Sequence, residues 1–188
     1  NYLACLVSAA LNTIREQYTD VWYTFTPIGE NEPYCIEDAD IILTPMDVAS
    51  EEYSSAKLMS LYARLFASTI YRDNIGIPKS IEELREHRFV CVCQPGQTSQ
   101  EEDWIRQYVP ARGIVFRSRS NFAVYTAISE GLGIGFLPPS IGLGNGRLVQ
   151  VMESSPAWQK NIWISVRRET ADSKKLVAIL NAFRMLAH

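Results

Sequence analysis

The stretch from Ser120 to Pro138, Ser-Asn-Phe-Ala-Val-Tyr-Thr-Ala-Ile-Ser-Glu-Gly-Leu-Gly-Ile-Gly-Phe-Leu-Pro, constrains the fold of this chain more than any other. Ser120 can cap a helix, its hydroxyl accepting from a free N–H of the first turn. Phe122, Val124, Ala127 and Ile128 then recur at helical spacing, and Gly131 supplies the left-handed residue that ends a helix. Ile134 to Leu137 follows as a short apolar run, which Pro138 closes. A helix, a glycine stop and a buried strand in one short span make a compact α/β unit. The glycines at 131, 133 and 135 could suggest a nucleotide-binding loop, but their order is wrong. A dinucleotide fingerprint leaves a strand and opens a helix, so that its amides face the pyrophosphate. Here the glycines leave a helix and enter a strand, which points to close helix–strand packing.

The 188 residues can bury one large core or two small ones. A net charge of −3 argues against a general nucleic-acid binder. No apolar run reaches the roughly eighteen residues of a membrane span, and no signal-peptide pattern is present, so a cytoplasmic location is expected. The four cysteines, Cys5, Cys35, Cys91 and Cys93, fit no zinc spacing. Cys91 and Cys93 lie two apart in an apolar run, so both point to one face of a strand. Buried thiols are the plain reading, and redox sensing is the alternative.

Leu3, Leu6, Val7, Ala10, Leu11, Ile14 and Tyr18 form an apolar stripe that predicts one amphipathic helix over residues 1–18. Val21 to Phe25 reads as a β-branched and aromatic strand, and Thr26 to Tyr34 as a loop. Asp38-Ala39-Asp40 precedes the apolar triplet Ile41-Ile42-Leu43, as suits a strand buried on both faces of a parallel sheet. Lys57 to Thr69 reads as two extended segments in sequence. Ser80-Ile81-Glu82-Glu83 and Thr98-Ser99-Gln100-Glu101 are both capping boxes, each heading a helix. Between them Phe89 to Cys93 is a buried strand, followed by a turn at Gln94 to Gln97. Strands follow at Ile114–Phe116, Leu148–Met152 and Ile162–Val166, and a final amphipathic helix covers residues 173–187. Strands alternating with helices predict a parallel-sheet α/β architecture.

Ala-Ile-Ser-Glu-Gly-Leu-Gly-Ile-Gly-Phe-Leu-Pro resembles the hallmark helix–strand junction in the effector-binding domain of LysR-type transcriptional regulators. The order of an apolar strand, a Ser/Thr pair, Tyr71 and Ile-Pro-Lys-Ser-Ile-Glu-Glu-Leu is similar to that family as well, as are the acidic residues before Ile41. One departure is Pro33, which falls where the family has a short helix. The resemblance covers nearly the whole chain. It implies an α/β fold of two Rossmann-like lobes joined by two crossover strands, like a type-2 periplasmic binding protein. Residues 1–67 and 162–188 would form the first lobe, with its first strand preceding residue 1, and residues 68–161 the second.

Catalysis finds little support, and neither a metal site nor a cofactor is expected. His188 is the last residue, and His87 lies between Glu86 and Arg88 in a polar stretch, as a solvated surface histidine would. No nucleophile elbow is present, and no His/Asp/Glu cluster has ligand spacing. Binding is better supported. Ligands of parallel sheets sit beyond the carboxyl ends of strands, where helix N-termini offer free N–H groups and positive partial charge. Gln97-Thr98-Ser99 and Ser120-Asn121-Phe122 combine hydroxyls with the first turn of a helix, so each is a possible anion site, with plain capping as the alternative. Arg117 and Arg119 precede the second on one strand face.

Carried over position by position, the resemblance implies an effector site at Thr26 and Pro27, Thr44 and Pro45, Gln97 to Ser99, and Ser120 to Phe122. The effector would be a small molecule, a carboxylate or another anion being one possibility, although Thr44 stands where some members carry a basic residue. The first helix and the helix at 121–130 would pair with a second subunit, giving a homodimer and a tetramer of the full-length protein. DNA would be bound only through a helix-turn-helix domain preceding residue 1. For the first helix the alternative is that its apolar stripe only covers the sheet, and for the function the alternatives are a solute-binding protein of a transporter and an enzyme on the same scaffold.

Overall fold

A computed structural model of the chain describes residues 3–16, 18–20, 24, 39–93, 99–152 and 158–186. In chain order its elements are α1 (Leu3–Ile14), β1 (Ile41–Thr44), β2 (Tyr53–Ser68), α2 (Thr69–Ile75), β3 (Phe89–Val92), α3 (Gln100–Tyr108), β4 (Ile114–Ser118), α4 (Asn121–Ser129), β5 (Gly135–Leu137), α5 (Pro139–Gly142), β6 (Leu148–Gln150), β7 (Trp158–Arg167) and α6 (Lys174–Leu186). Single 3-10 turns lie at Glu82–Glu86 and Ala111–Gly113. The chain divides into two compact units, residues 1–61 with 160–188, and residues 62–159. The strand expected at Val21–Phe25 falls almost wholly outside the described residues, as do the loop after it and the turn at Gln94–Gln97.

In the first unit the apolar stripe of α1 turns inward. Val7, Ala10 and Ile14 are buried with Leu176, Ile179, Ala182 and Phe183 of α6 and with Ile164 and Val166 of β7. These three residues of the stripe therefore cover the core of their own unit. The helix stops at Ile14 rather than running to Tyr18. Near its end the Thr13 hydroxyl donates to the Ala10 carbonyl (2.7 Å), a local bond that competes with the helical ladder. One more hydrogen bond, from Tyr18 N–H to the Ile14 carbonyl (3.1 Å), brings the chain off the helix.

Among the described residues β1 has an antiparallel rather than a parallel neighbour. It pairs antiparallel with β7, Ile41 opposite Val166 and Thr44 opposite Trp163. Its apolar triplet reflects a strand with Ile42 buried and Ile41 and Leu43 half-buried. The two segments expected between Lys57 and Thr69 are one continuous strand, β2. Beside β7 in the first unit it exposes Ser54 and Lys57, whereas Leu65 to Ser68 are all buried. There β5 and β6 both pair with it, antiparallel. What reads as a break in hydrophobicity is a change of neighbours along an unbroken backbone.

The second unit holds the parallel element of the fold. β3 and β4 run parallel, Val92 beside Ser118, and Phe89 bridges Ile134 in the same sense. α4 packs on β3, β4 and β5, burying Val124, Ala127 and Ile128. Its end satisfies two free carbonyls in a Schellman motif: Gly131 N–H donates to the Ile128 carbonyl and Leu132 N–H to the Ala127 carbonyl. Gly131 takes φ +81°, the left-handed value that the motif requires. A β-carbon on Gly133 would lie 2.7 Å from the Arg88 carbonyl oxygen, and one on Gly135 would lie 2.8 Å from both Ile128 Cδ1 and the Val90 carbonyl oxygen. The glycines are thus packing geometry and cradle no phosphate.

Candidate functional site

Two serines define the carboxyl edge of the β3–β4 pair. Parallel pairing sets Val92 beside Ser118, and Cys93 N–H donates to the Ser118 carbonyl (3.0 Å), so both strands leave the sheet at one edge. Beyond β4 the chain turns through Ser120, whose N–H donates to Ser118 Oγ (3.1 Å) and whose Oγ accepts from Ala123 N–H (3.3 Å). Beyond β3 it reaches Ser99, whose Oγ accepts from Glu102 N–H (3.1 Å). The cap of α3 therefore lies one residue later than the Thr98 box implied, with Ser99 as the N-cap; Thr98 itself is outside the described residues. Each cap leaves its hydroxyl proton free to donate outward. Asn121 and Phe122 carry first-turn N–H groups with no acceptor inside the helix.

The two helix starts differ in charge. The first turn of α3 carries Glu101, Glu102 and Asp103, which oppose a bound anion. Glu102 is buried, and its Oε1 accepts from Arg106 (2.7 Å) one turn on. The first turn of α4 has no acid, and exposed Arg117 and Arg119 precede it. Of the two, α4 is the better anion receptor. Phe122 is 72% exposed at this helix start, its ring 6.4 Å from that of Tyr125, whose hydroxyl accepts from Asn145 Nδ2 (2.9 Å). An exposed aromatic ring beside free amides suits a ligand with an anionic head and an apolar body.

The other expected site residues divide as follows. Thr44 ends β1 with its side chain buried, and its hydroxyl donates to the Met46 carbonyl; Pro45 is exposed. Thr44 can therefore offer a ligand only an acceptor. Thr26, Pro27, Gln97 and Thr98 lie outside the described residues. Of the carried-over positions, the structure describes Ser99 as the N-cap of α3, which follows β3, and Ser120 to Phe122 at the start of α4, just beyond β4.

Cys91 is buried on β3 opposite Arg117. Burial pushes its thiol above the usual range, and the nearby Arg117 guanidinium only partly offsets this. It is held as a poorly reactive thiol. Cys93, just past the strand, is half-buried, and both are free thiols. The side chain of Cys5 and all of Cys35 are outside the described residues.

His87 is not the solvated histidine its polar neighbours suggested. It is half-buried, its Nδ1 3.1 Å from the hydroxyl of fully buried Tyr71. That hydroxyl also accepts from Arg88 N–H (3.0 Å), so it ties the imidazole to the backbone just before β3. Burial lowers the His87 pKa, against the raising influence of Glu83 and Glu86.

Sequence reasoning missed Glu102 as the residue that braces α3. The signal was present, since Ser99-Gln100-Glu101-Glu102 is a capping box too. Only burial chooses between the two registers.

Residues 3–187 match the family model described as LysR substrate binding domain. No curated protein sequence matches the chain. Among solved structures it is similar to the regulatory domain of CrgA, a LysR-type transcriptional regulator from Neisseria meningitidis, at 19% identity and TM-score 0.75, covering 99% of this chain and 94% of that one. It is also similar to full-length AphB, a Vibrio cholerae virulence activator, at 21% identity and TM-score 0.69, covering 95% of this chain and 62% of AphB. The regulatory domain of AphB from Vibrio vulnificus aligns at 18% identity and TM-score 0.66, covering 94% and 89%. The chain thus spans about three-fifths of the length of full-length AphB.

Proposed function

From the premise that this chain belongs to the family of LysR substrate-binding domains, with their periplasmic-binding-protein-like fold, we propose that its effector binds at the carboxyl edge of β3 and β4. Effector sensing in transcription regulation is the function class of the family, and the relatives are regulators rather than enzymes. The carrying observation is the pair of serine-capped helix starts at one edge of parallel strands. The asymmetry of charge between them supports binding of the effector's anionic group, a carboxylate or another anion, at the α4 start, near Ser120, Asn121 and Phe122. Thr26, Pro27, Thr44, Pro45, Gln97 and Thr98 belong to the proposal as positions carried over from the family plan. In the whole protein, occupancy is proposed to alter DNA binding by a part outside these 188 residues, and the domain to act as a homodimer.

A thermal-shift screen of small carboxylates, followed by titration of any hit, tests this reading. Ser120→Ala removes both the cap and the outward hydroxyl, and is expected to cost about 1 kcal/mol of stability and to weaken a hit roughly tenfold. If Ser120→Ala binds every hit as tightly as the parent, the assignment to α4 fails. A strict monomer by light scattering would remove the dimer.

A further inference from the structure

The opposite edge of the parallel pair, where β3 and β4 begin, carries a second feature. Arg85 in the turn Glu82–Glu86, Arg106 in the last turn of α3 and Arg112 in the turn Ala111–Gly113 line one open depression of about 320 Å³, walled by Tyr108, Val109 and Pro110. All three arginines are exposed and come from three separate elements. Arg106 has a carboxylate partner, the buried Glu102 at 2.7 Å. Among the described residues no carboxylate lies within ion-pair distance of Arg85 or Arg112. The chain carries a net charge of −3, so this convergence is not a by-product of basic composition.

We propose that this depression binds a compact oxyanion with more than one negative charge, of the phosphate or polycarboxylate class. A guanidinium offers parallel N–H groups that match the oxygens of either, and Arg85 and Arg112, which hold no carboxylate at bonding distance, keep those N–H groups available for such a ligand. The depression lies at the small end of ligand-sized cavities, which span roughly 300–1,000 Å³. Its surroundings select a small ligand over an extended polyanion. Exposed Glu82, Glu83 and Glu86 on the turn that carries Arg85, and exposed Asp103 on α3, would repel a nucleic-acid backbone laid across the same elements. The site is distinct from the effector edge, because it sits at the amino-terminal ends of the same strands.

The test is calorimetric titration of the chain with inorganic phosphate and, separately, with citrate, in chloride buffer of matched ionic strength. One site is expected for at least one of the two anions, and which of them binds identifies the class. The double variant Arg85→Gln/Arg112→Gln is expected to keep the parent's circular dichroism and weaken binding roughly tenfold or more. The proposal is overturned if neither anion binds above the chloride control, or if the double variant binds as tightly as the parent. It is also overturned if binding survives in the double variant but is lost in Ser120→Ala. The anion would then occupy the α4 start, and the effector reading would stand without this second site.

Discussion

Single residues in this chain take their chemistry from what surrounds them. His87 shows it best. Its Nδ1 shares a hydrogen bond with the hydroxyl of Tyr71, which also accepts from Arg88 N–H, and burial disfavours the charged imidazole. The folded state therefore prefers neutral His87, with a pKa below the ordinary 6.5. The unfolded chain takes up the proton first as pH falls, so the contribution of this pair is complete above pH 6.5 and declines below it. Urea midpoints measured from pH 7.5 down to pH 5 should drop less steeply for His87→Gln than for the parent; parallel curves would refute the assignment. Cys91 offers a second test at this scale. With its thiol pushed up by burial, it should react with iodoacetamide at neutral pH more slowly than half-buried Cys93. Peptide mapping after brief labelling separates the two, and faster labelling of Cys91 would return the redox reading to consideration.

At the scale of elements, the unit from α4 to β5 was legible almost residue by residue. The cap, the periodic face, the left-handed glycine and the following strand all depend on neighbours within a few positions, where local physics acts. The glycines after the helix belong here too. Gly135→Ala forces a β-carbon against Ile128 Cδ1 and the Val90 carbonyl, both at 2.8 Å, and should destabilise the protein by about 1–3 kcal/mol in denaturant unfolding. A neutral result would mean that α4 can move off β3. The capping-box helix at Ser80 is by contrast a single 3-10 turn, Glu82–Glu86, whose N-cap position is Ile81 and where Glu83 accepts from Lys79 N–H (2.8 Å). There the amides of Leu84 and His87 bond three residues back, to the carbonyls of Ile81 and Leu84, which is the 3-10 pattern. β2 defeated sequence reading for a different reason: hydrophobic periodicity reports burial, and burial changed along one continuous strand.

For the whole molecule, each unit has its own core, and none of the described residues belongs to both. Phe183→Ala, deep in the first core, should cost about 3–5 kcal/mol and lower hydrogen-exchange protection in α1 and α6. Unchanged protection there would mean that the two helices are not held by this core. The membership of this chain in a family of ligand-sensing domains was open to sequence alone, because the helix–glycine–strand junction is a contiguous local pattern. So were the serine-capped helix starts, since caps need only a hydroxyl and the next turn. Tertiary structure alone decided the antiparallel partner of β1, the inward turn of Thr44, the Tyr71–His87 pair and the gathering of Arg85, Arg106 and Arg112 around one depression. Each joins residues that are remote in sequence or depends on which face is buried. Those relations are set by chain topology and packing, and a linear pattern does not encode them.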